Sequence, residues 1–337
     1  MSQSSVLRSA RGLLIAFACF MLLALSATAH AAPTVLKIGW PSADSPTDPY
    51  AIAAHYFAEE IEKLAPGQFK VEFFGSNQLG DEAQMVQSLR IGSLQMGVLT
   101  MTPIGKTVPS FQLNDLPFLY PTAEQAFKVL DGKAGEIMAK DLADKGIISL
   151  GFVNAGFRYA INNVRPIAKP EDLDGIKLRV QPSPIYLDAF RALGANPVPM
   201  PWSDVFTATQ QGAVDGLEIP LAVIYSNKYA EITKYLSLTR HSINTPALVM
   251  SGQTFKKLSE EAQKNIRTAA RNTVARQREK MTEINAGILQ KLKDAGMQVN
   301  DVEDPGAFRE RVAEIYEQFR DAIGSDVLDA ALAAGKQ

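Results

Sequence analysis

The sequence predicts an α/β protein with two domains. Between residues 35 and 99, three short apolar strands alternate with two amphipathic helices through short links, which is typical of a doubly wound sheet. The strands are predicted at 35–40, 69–74 and 95–99, and the helices begin at Pro49 and near Glu82. About 306 residues follow position 31, enough for two hydrophobic cores. A proline-free helical pattern over about 255–295 predicts one long helix.

Residues 1–31 have the pattern of a secretory signal peptide. Arg8 and Arg11 give a positive start, an apolar run covers 12–27, and the small residues at 29–31 predict the cleavage site. A membrane anchor is the alternative, but the run is shorter than the roughly 20 residues that a span needs. We therefore expect export to the periplasm and removal of this segment.

Composition narrows the possible partners. Cys19 is the only cysteine, and it lies inside the apolar run rather than at its end, so the pattern is not that of a lipoprotein. An exported chain without disulfides suits a bacterial periplasmic protein. Without the two leader arginines, 32 basic and 36 acidic residues remain, a formal charge of −4. No basic stripe is present, so nucleic acid is not expected as a partner.

Two arginines in the middle of the chain predict an anion site. Apolar and charged residues alternate over 176–180 after an Asp-Gly turn, which places Arg179 near the carboxyl end of a short strand. Open α/β sheets bind ligands at that end of their strands. Arg158 follows another predicted strand, 146–153, and two guanidinium groups at adjacent strand ends would receive a carboxylate through paired hydrogen bonds. Surface ion pairs are the alternative interpretation.

Two further polar residues lie at predicted strands. Thr100 follows the third strand, where its hydroxyl either reaches a ligand or only ends the strand. Glu218 lies in the turn and strand predicted over 212–220, where it either contacts the ligand or pairs with one of the arginines. Ile219 would make that wall apolar.

The rest of the chain is predicted to be mainly helical after two more strands. The strands are expected at 235–238 and 246–251, and an amphipathic helix is expected at 308–319 beyond the long helix. Residues 330–337 are expected to fray.

Patterns of catalytic chemistry are missing from the sequence. His55 and His241 have no partner at metal-ligand spacing, and no nucleophile elbow, zinc-binding helix or phosphate loop occurs. A pair of carboxylates acting on a glycosidic bond stays open, because their separation in space decides it. We therefore expect no enzyme activity and no cofactor.

Several segments together carry a family resemblance. They are Gly75 to Gly92, Gly156 to Arg158, Asp174 to Val180, Gly194 to Met200, Gln211 to Pro220, Lys228-Tyr229 and Leu238 to Asn244. In these segments, in their order and at their spacing, the chain resembles the solute-binding proteins of tripartite ATP-independent periplasmic (TRAP) transporters, of the C4-dicarboxylate-binding type. The resemblance covers nearly the whole chain beyond the leader.

This resemblance implies a two-lobed periplasmic binding protein, a Venus flytrap, with mixed sheets and a long helix that runs along both lobes. Lobe I is expected to comprise 32–155 plus about 244–283, and lobe II 156–243 plus about 284–337. The resemblance also implies ligand contacts. They are Arg179 on the carboxylate, Arg158 in support, Trp40 to Ser42 at the end of the first strand, Thr100 at the end of the third, and the segment containing Glu218 and Ile219.

Two departures from the family pattern bear on the ligand. Sialic-acid binders and several sugar-acid binders have asparagine where Ile219 stands and glutamate where Thr100 stands. Their loss removes groups that bind hydroxyls, which favours a smaller or more apolar carboxylate such as a hydroxy, oxo or aromatic acid. The segment after Gly216 also lacks the tryptophan of oxo-acid binders that use a cation, so no metal is expected.

The implied function is capture of a small organic acid anion without a covalent step. The anion neutralises the arginines, contacts from both lobes favour the closed state, and the closed form, expected as a monomer, docks on the membrane subunits of a TRAP permease. A binding protein of an ATP-driven importer or a chemoreceptor is one alternative. A periplasmic hydrolase of carboxylated substrates is the other.

Overall fold

Two mixed sheets form the frame of the protein over residues 32–335, the part of the chain that this computed structural model describes. The predicted signal peptide lies outside the described residues. The strands are β1 (Thr34–Gly39), β2 (Phe69–Phe74), β3 (Met96–Leu99), β4 (Ile147–Phe152), β5 (Gly156–Asn162), β6 (Lys177–Val180), β7 (Asn196–Pro199), β8 (Gly216–Pro220), β9 (Tyr235–Asn244), β10 (Ala247–Ser251) and β11 (Gln298–Asn300). The three predicted opening strands are confirmed.

Helices cover both sheets. They are α1 (Pro49–Leu64), α2 (Glu82–Ile91), α3 (Met101–Gly105), α4 (Ala123–Leu130), α5 (Lys133–Asp144), α6 (Pro184–Ala192), α7 (Trp202–Gln210), α8 (Leu221–Ser226), α9 (Gly252–Lys257), α10 (Glu260–Asp294), α11 (Pro305–Arg311), α12 (Ile315–Ile323) and α13 (Ser325–Gly335). Short 3-10 segments lie at Pro109–Asp115, Pro170–Leu173 and Tyr229–Glu231. On length and hydrophobicity, none of the helices between residues 32 and 335 could span a bilayer.

The first sheet has the order β2-β1-β3-β10-β4, and the second has the order β11-β9-β5-β8-β6-β7. Parallel pairs such as β1 with β3 and β6 with β8 occur beside antiparallel pairs such as β10 with β3 and β5 with β9. The chain therefore crosses between the sheets three times, at β4–β5, at β9–β10, and between β10 and β11 by way of α9 and α10. The predicted two-lobed α/β fold with mixed sheets is confirmed.

Local signals place the helices that approach the cleft. Asp48 caps α1 by accepting hydrogen bonds from the backbone N–H groups of Tyr50 and Ala51, at 3.0 and 3.2 Å. Asp81 caps α2 in a reciprocal capping box with Gln84. These caps begin both helices directly after the loops that follow β1 and β2.

The long helix differs from its prediction at its start. Leu258 leaves the helical conformation after α9, and the Ser259 side chain then caps α10 by accepting from the N–H of Ala262. The predicted single helix from residue 255 is therefore two helices, because a serine cap starts the second one. The 35 residues of α10 pack against α1, β4 and α8, which contact different sheets. The buried side chain of Gln277 bonds to the backbone of Pro49 and Asn154 from the middle of this helix.

The end of the chain is more ordered than its composition indicates. The expected helix at 308–319 is two helices, α11 and α12, and the expectation that 330–337 frays is wrong for residues up to 335. Val327 and Leu328 are completely buried, and α13 packs against α4 and α5. Because α5 packs on β4 of the first sheet, the last helix lies beside elements of residues 32–155. The lobe boundaries stay a prediction.

Candidate functional site

A cavity of about 350 Å³ lies where the two sheets face each other. The loops after β1 and β3 supply one side, and the second sheet supplies the other through β5, β6 and β8. Its lining comprises Pro41, Ser42, Tyr50, Glu82, Thr100, Arg158, Arg179, Gln181, Trp202, Ile219, Pro220, Val223 and Asn244. Concave sites that combine apolar walls with a few converging polar groups are typical of small-molecule binding.

Arg179 is held in a fixed orientation at this cavity. Its Nε and Nη2 atoms donate to the carbonyl oxygen of Met200 at 2.9 and 2.7 Å, and its guanidinium carbon lies 6.0 Å from the ring centre of Trp202. The residue is only 3% exposed. One edge of the guanidinium is therefore anchored by the protein, and the remaining donors are available to a ligand.

The charge of Arg179 has no direct counter-ion. No acidic side chain within residues 32–335 lies within 4 Å of this guanidinium. Burial, together with the neighbouring positive charge of Arg158, lowers its pKa to about 10, so it stays protonated at neutral pH. A buried cation without a partner favours an incoming anion, because the anion supplies the missing charge compensation.

Arg158 differs from Arg179, because the protein itself supplies its partner. Its Nη2 donates to Glu218 Oε1 at 2.9 Å and to the Glu218 carbonyl at 2.5 Å, and its Nε donates to Glu218 Oε2. Strand β8 lies between β5 and β6, so the two arginines are not on adjacent strands as the sequence predicted. Arg158 still lines the cavity, as an already neutralised neighbour of Arg179.

Glu218 lies behind the cavity wall rather than in it. Its side chain is wholly buried, and His241 Nε2 lies 3.1 Å from its Oε2. Burial opposes ionisation, but Arg158 and His241 together lower the pKa of Glu218 to about 2. Burial also lowers the pKa of His241, whose Nδ1 lies 2.8 Å from the Thr239 hydroxyl. Thr239, His241 and Glu218 therefore form one buried network that holds Arg158 in place.

A chain of polar groups lines the opposite side of the cavity. The Tyr50 hydroxyl lies 2.9 Å from Thr100 Oγ1 and accepts from Asn244 Nδ2 at 2.9 Å. The backbone N–H of Thr100 donates to Glu82 Oε1 at 2.7 Å. Burial raises the pKa of Glu82. This side therefore offers hydroxyl, amide and carboxyl groups to a ligand.

The remaining predicted residues divide between the cavity and the core. Ser42 lines the cavity and donates to Asp48 Oδ1 at 2.7 Å, and Ile219 forms part of its apolar wall. Trp40 is wholly buried, does not line the cavity, and packs edge-on against Phe73. The indole therefore supports the loop after β1 rather than forming the cavity surface.

Several lining residues escaped the sequence reasoning. They are Tyr50, Glu82, Gln181, Trp202 and Asn244. In the sequence, Glu82 stands out only as the start of a helix, and Asn244 only as the end of one of the segments that carry the family resemblance. No local pattern joins two residues that lie 162 positions apart, because the fold alone brings them together. Within residues 32–335, no group of three histidine, cysteine or acidic side chains is placed to hold a metal ion.

Comparison with known proteins gives independent evidence for the family of this chain. A sequence model of the family described as "DctP: Bacterial extracellular solute-binding protein, family 7" matches residues 42–322. The 2,3-diketo-L-gulonate-binding periplasmic protein YiaO of Escherichia coli is 32% identical over 305 residues, which is 90% of this chain and 92% of that protein.

Solved structures agree with this family match. The sugar acid binding protein DctPAm from Advenella mimigardefordensis, in complex with galactonate, superposes with a TM-score of 0.87 at 35% identity and covers 90% of this chain and 98% of its own. A TRAP periplasmic solute binding protein from Polaromonas, bound to D-erythronate, superposes with a TM-score of 0.85 at 35% identity, with coverages of 89% and 98%.

Proposed function

The chain belongs to family 7 of the bacterial extracellular solute-binding proteins, the TRAP type, and we propose that its solute is a small open-chain hydroxy carboxylate anchored by Arg179. The observation that carries this proposal is the buried, protonated guanidinium that faces the cavity without an acidic partner. A carboxylate matches such a fork in both charge and shape, because two parallel N–H groups meet its two oxygens.

Arg158 contributes less charge than Arg179 to this binding. Its partner Glu218 already neutralises its charge. Breaking this buried ion pair to free Arg158 for a ligand would cost more free energy than the new contact would contribute. We assign Arg158 the role of shaping the cavity and donating at most through atoms that Glu218 leaves free. The anion therefore meets one net positive charge rather than two.

The polar side of the cavity supports a hydroxylated acid over a purely apolar one. Tyr50, Thr100 and Glu82 form a connected row of hydroxyl and carboxyl groups. A hydroxyl of the ligand can donate to Glu82 or use the hydrogen-bonding capacity that the contacts within this row leave free, whereas an alkyl chain offers this row no hydrogen bond. Galactonate and D-erythronate, the ligands of the two similar structures, both combine one carboxylate with neighbouring hydroxyls.

Ile219, Pro220 and Val223 supply the apolar surface of the same cavity. They can pack against the carbon backbone of an open chain but offer no side-chain hydrogen bond to it. Among the hydroxy, oxo and aromatic acids expected from the sequence, this distribution favours a hydroxy acid over an aromatic one, because an aromatic ring offers no hydrogen bond to the row around Tyr50.

The remaining steps follow from the position of the cavity. Because elements of both sheets line it, a bound acid contacts both and favours the closed arrangement by its differential affinity. We propose that the protein acts in the periplasm after cleavage of residues 1–31, as a monomer, and delivers the acid chemically unchanged to the membrane subunits of a TRAP permease.

Isothermal titration with matched ligands tests the proposal. Galactonate and D-erythronate should bind, galactitol should not because it lacks the carboxylate, and butyrate should bind more weakly because it lacks the hydroxyls. The acid recovered from the complex should be chemically unchanged. Equal affinity for galactitol and galactonate would contradict the carboxylate anchor, and conversion of the acid would contradict a binding role.

A further inference from the structure

A second feature of the surface lies apart from the cavity. A groove of about 600 Å³ has an aromatic floor formed by Phe118, Tyr120 and Phe157, and its rim carries Arg240 and Arg309. No acidic side chain lines it. We infer that this arginine groove is the docking site for an acidic segment of the membrane permease, an inference that rests on the proposed function.

Both arginines lie over aromatic rings instead of forming ion pairs. The guanidinium carbon of Arg240 lies 4.3 Å from the ring centre of Phe157, and that of Arg309 lies 5.8 Å from the ring centre of Phe118. Both residues are exposed, and neither has a carboxylate within 4 Å among the described residues. Five other arginines of residues 32–335 that lie outside the cavity hold carboxylates, namely Arg191, Arg276, Arg278, Arg311 and Arg320, whereas Arg267, which also lies over an aromatic ring, holds none. Arg240 and Arg309 differ from Arg267 because they share one groove.

A stacked guanidinium is ready for a partner. The ring holds the plane of the cation in place while its N–H groups remain free, so less side-chain entropy is lost when a carboxylate binds. Two such groups on one groove match a segment with two acidic residues. The aromatic floor between them matches an apolar side chain of the same segment.

The backbone of β9 is distorted at this groove. Ser237 pairs with Ala160 and Ser242 with Arg158, so β9 has three more residues than β5 between these pairs. Within this bulge Arg240 adopts a φ of 45°, in the left-handed region that non-glycine residues rarely occupy. Bulges redirect side chains at functional sites, and this one turns Arg240 outward while His241 turns inward to Glu218.

The groove is also connected to the ligand cavity. Phe118, with a φ of 57°, donates its N–H to the carbonyl oxygen of His241 at 2.6 Å. His241 contacts Glu218, and Glu218 holds Arg158 at the cavity wall. Phe118, in one wall of the groove, is thus bonded to His241, which follows Arg240 in the other wall. Two further contacts, His241 to Glu218 and Glu218 to Arg158, lead from there to the ligand cavity. A partner seated here would contact a part of the surface that a short chain of hydrogen bonds joins to Arg158 at the cavity.

Charge reversal in a transport assay tests the inference. The double variant Arg240→Glu, Arg309→Glu is compared with the original chain, using the cognate permease in proteoliposomes and labelled galactonate. We expect transport to fall at least about tenfold, because like charges would face each other across the interface. Arg267→Glu is the matched control, since Arg267 is also exposed and lies 4.7 Å from the ring centre of Phe255 on another surface.

Two measurements keep this inference separate from the proposed function. Titration with galactonate should give the same affinity within about twofold for the double variant, because neither arginine lines the cavity. Transport that is unchanged in the double variant, or that falls equally in the Arg267→Glu control, would overturn the docking site, and so would a loss of galactonate affinity. Failure of the original chain to bind any acid would instead overturn the proposed function. The milder pair Arg240→Gln, Arg309→Gln should show a smaller fall in transport and confirms that the effect follows charge.

Discussion

Replacing Arg179 by alanine should abolish acid binding while leaving the unliganded protein nearly as stable as before. In the folded protein, burial lowers the pKa of this residue well below its ordinary value, to about 10, which corresponds to a destabilisation of roughly 3 kcal/mol for the charged form. Alanine removes that cost. It also removes two hydrogen bonds to the Met200 carbonyl, whose loss costs about 1–3 kcal/mol. The two effects have opposite signs, so we expect the free energy of unfolding to change by about 1 kcal/mol or less.

The effect on binding has no such compensation. A bound carboxylate would lose a charge-assisted pair in a site shielded from water, at a cost of about 3–5 kcal/mol. That cost corresponds to an affinity roughly 200- to 5,000-fold weaker. The affinity of Arg179→Lys for the acid should lie between that of the original chain and that of Arg179→Ala. Lysine retains the charge but loses the planar guanidinium, which bonds to Met200 with one edge and to the ligand with the other.

Thermal unfolding with and without acid separates these effects. At about one hundred times its dissociation constant, galactonate should stabilise the original chain by roughly 2.7 kcal/mol. The same concentration should leave Arg179→Ala unshifted, whereas Arg267→Ala, on another surface, should respond as the original does. An Arg179→Ala variant that still binds the same acids within a few-fold would refute the anchor.

Three further predictions concern the buried charges and the long helix. Glu218→Gln leaves Arg158 buried without its counter-ion and should lower the unfolding free energy by about 3–5 kcal/mol in urea titrations, whereas the exposed change Glu231→Gln should leave it nearly unchanged. Burial raises the pKa of Asp115 to about 7 from 3.8, so the unfolded chain loses this proton near pH 4 and the folded protein only near pH 7. The original chain should therefore lose stability relative to Asp115→Asn as the pH rises through this window, by at most roughly 4 kcal/mol, and a difference that does not vary with pH would contradict the assignment. Gly287→Ala should raise the unfolding free energy by about 1 kcal/mol, because a methyl group there meets no atom within 4 Å in the interior of α10, whereas Gly216→Ala should lower it, since its methyl group would strike the backbone of β5.

The strand that carries Arg179 could be predicted because all of its signals are local. Alternating apolar residues lead up to Val180, and Gly175 at the preceding turn adopts a φ of 77°, which suits the residue type. The carboxyl-end rule then places the arginine at the cleft without further information. The same rule predicts Thr100 at the carboxyl end of the third strand, and Thr100 lines the same cavity as Arg179.

Residues whose position depends on the packing of distant segments could not be predicted in this way. Trp40 follows a strand as Ser42 does, but Phe73 of β2 and Gly75, just after that strand, lie close against its ring and cover it. Glu82 has the sequence character of an ordinary first-turn acid, and only the arrangement of α2 against β3 turns it into the cavity. The extra residues of β9 at Arg240 are equally invisible, because a bulge is defined by its partner strand.

The 35 residues of α10 set a limit on how the cleft can open. At about 1.5 Å per residue, this helix is roughly 52 Å long, and it contacts α1 on one side of the cleft and α8 on the other. A single rigid rod bonded to both halves permits rotation about its length more easily than separation along it. The cleft should therefore open by rotation of the two halves about the axis of α10. Crosslinks placed across α10 should slow exchange of the acid without changing which acid is bound.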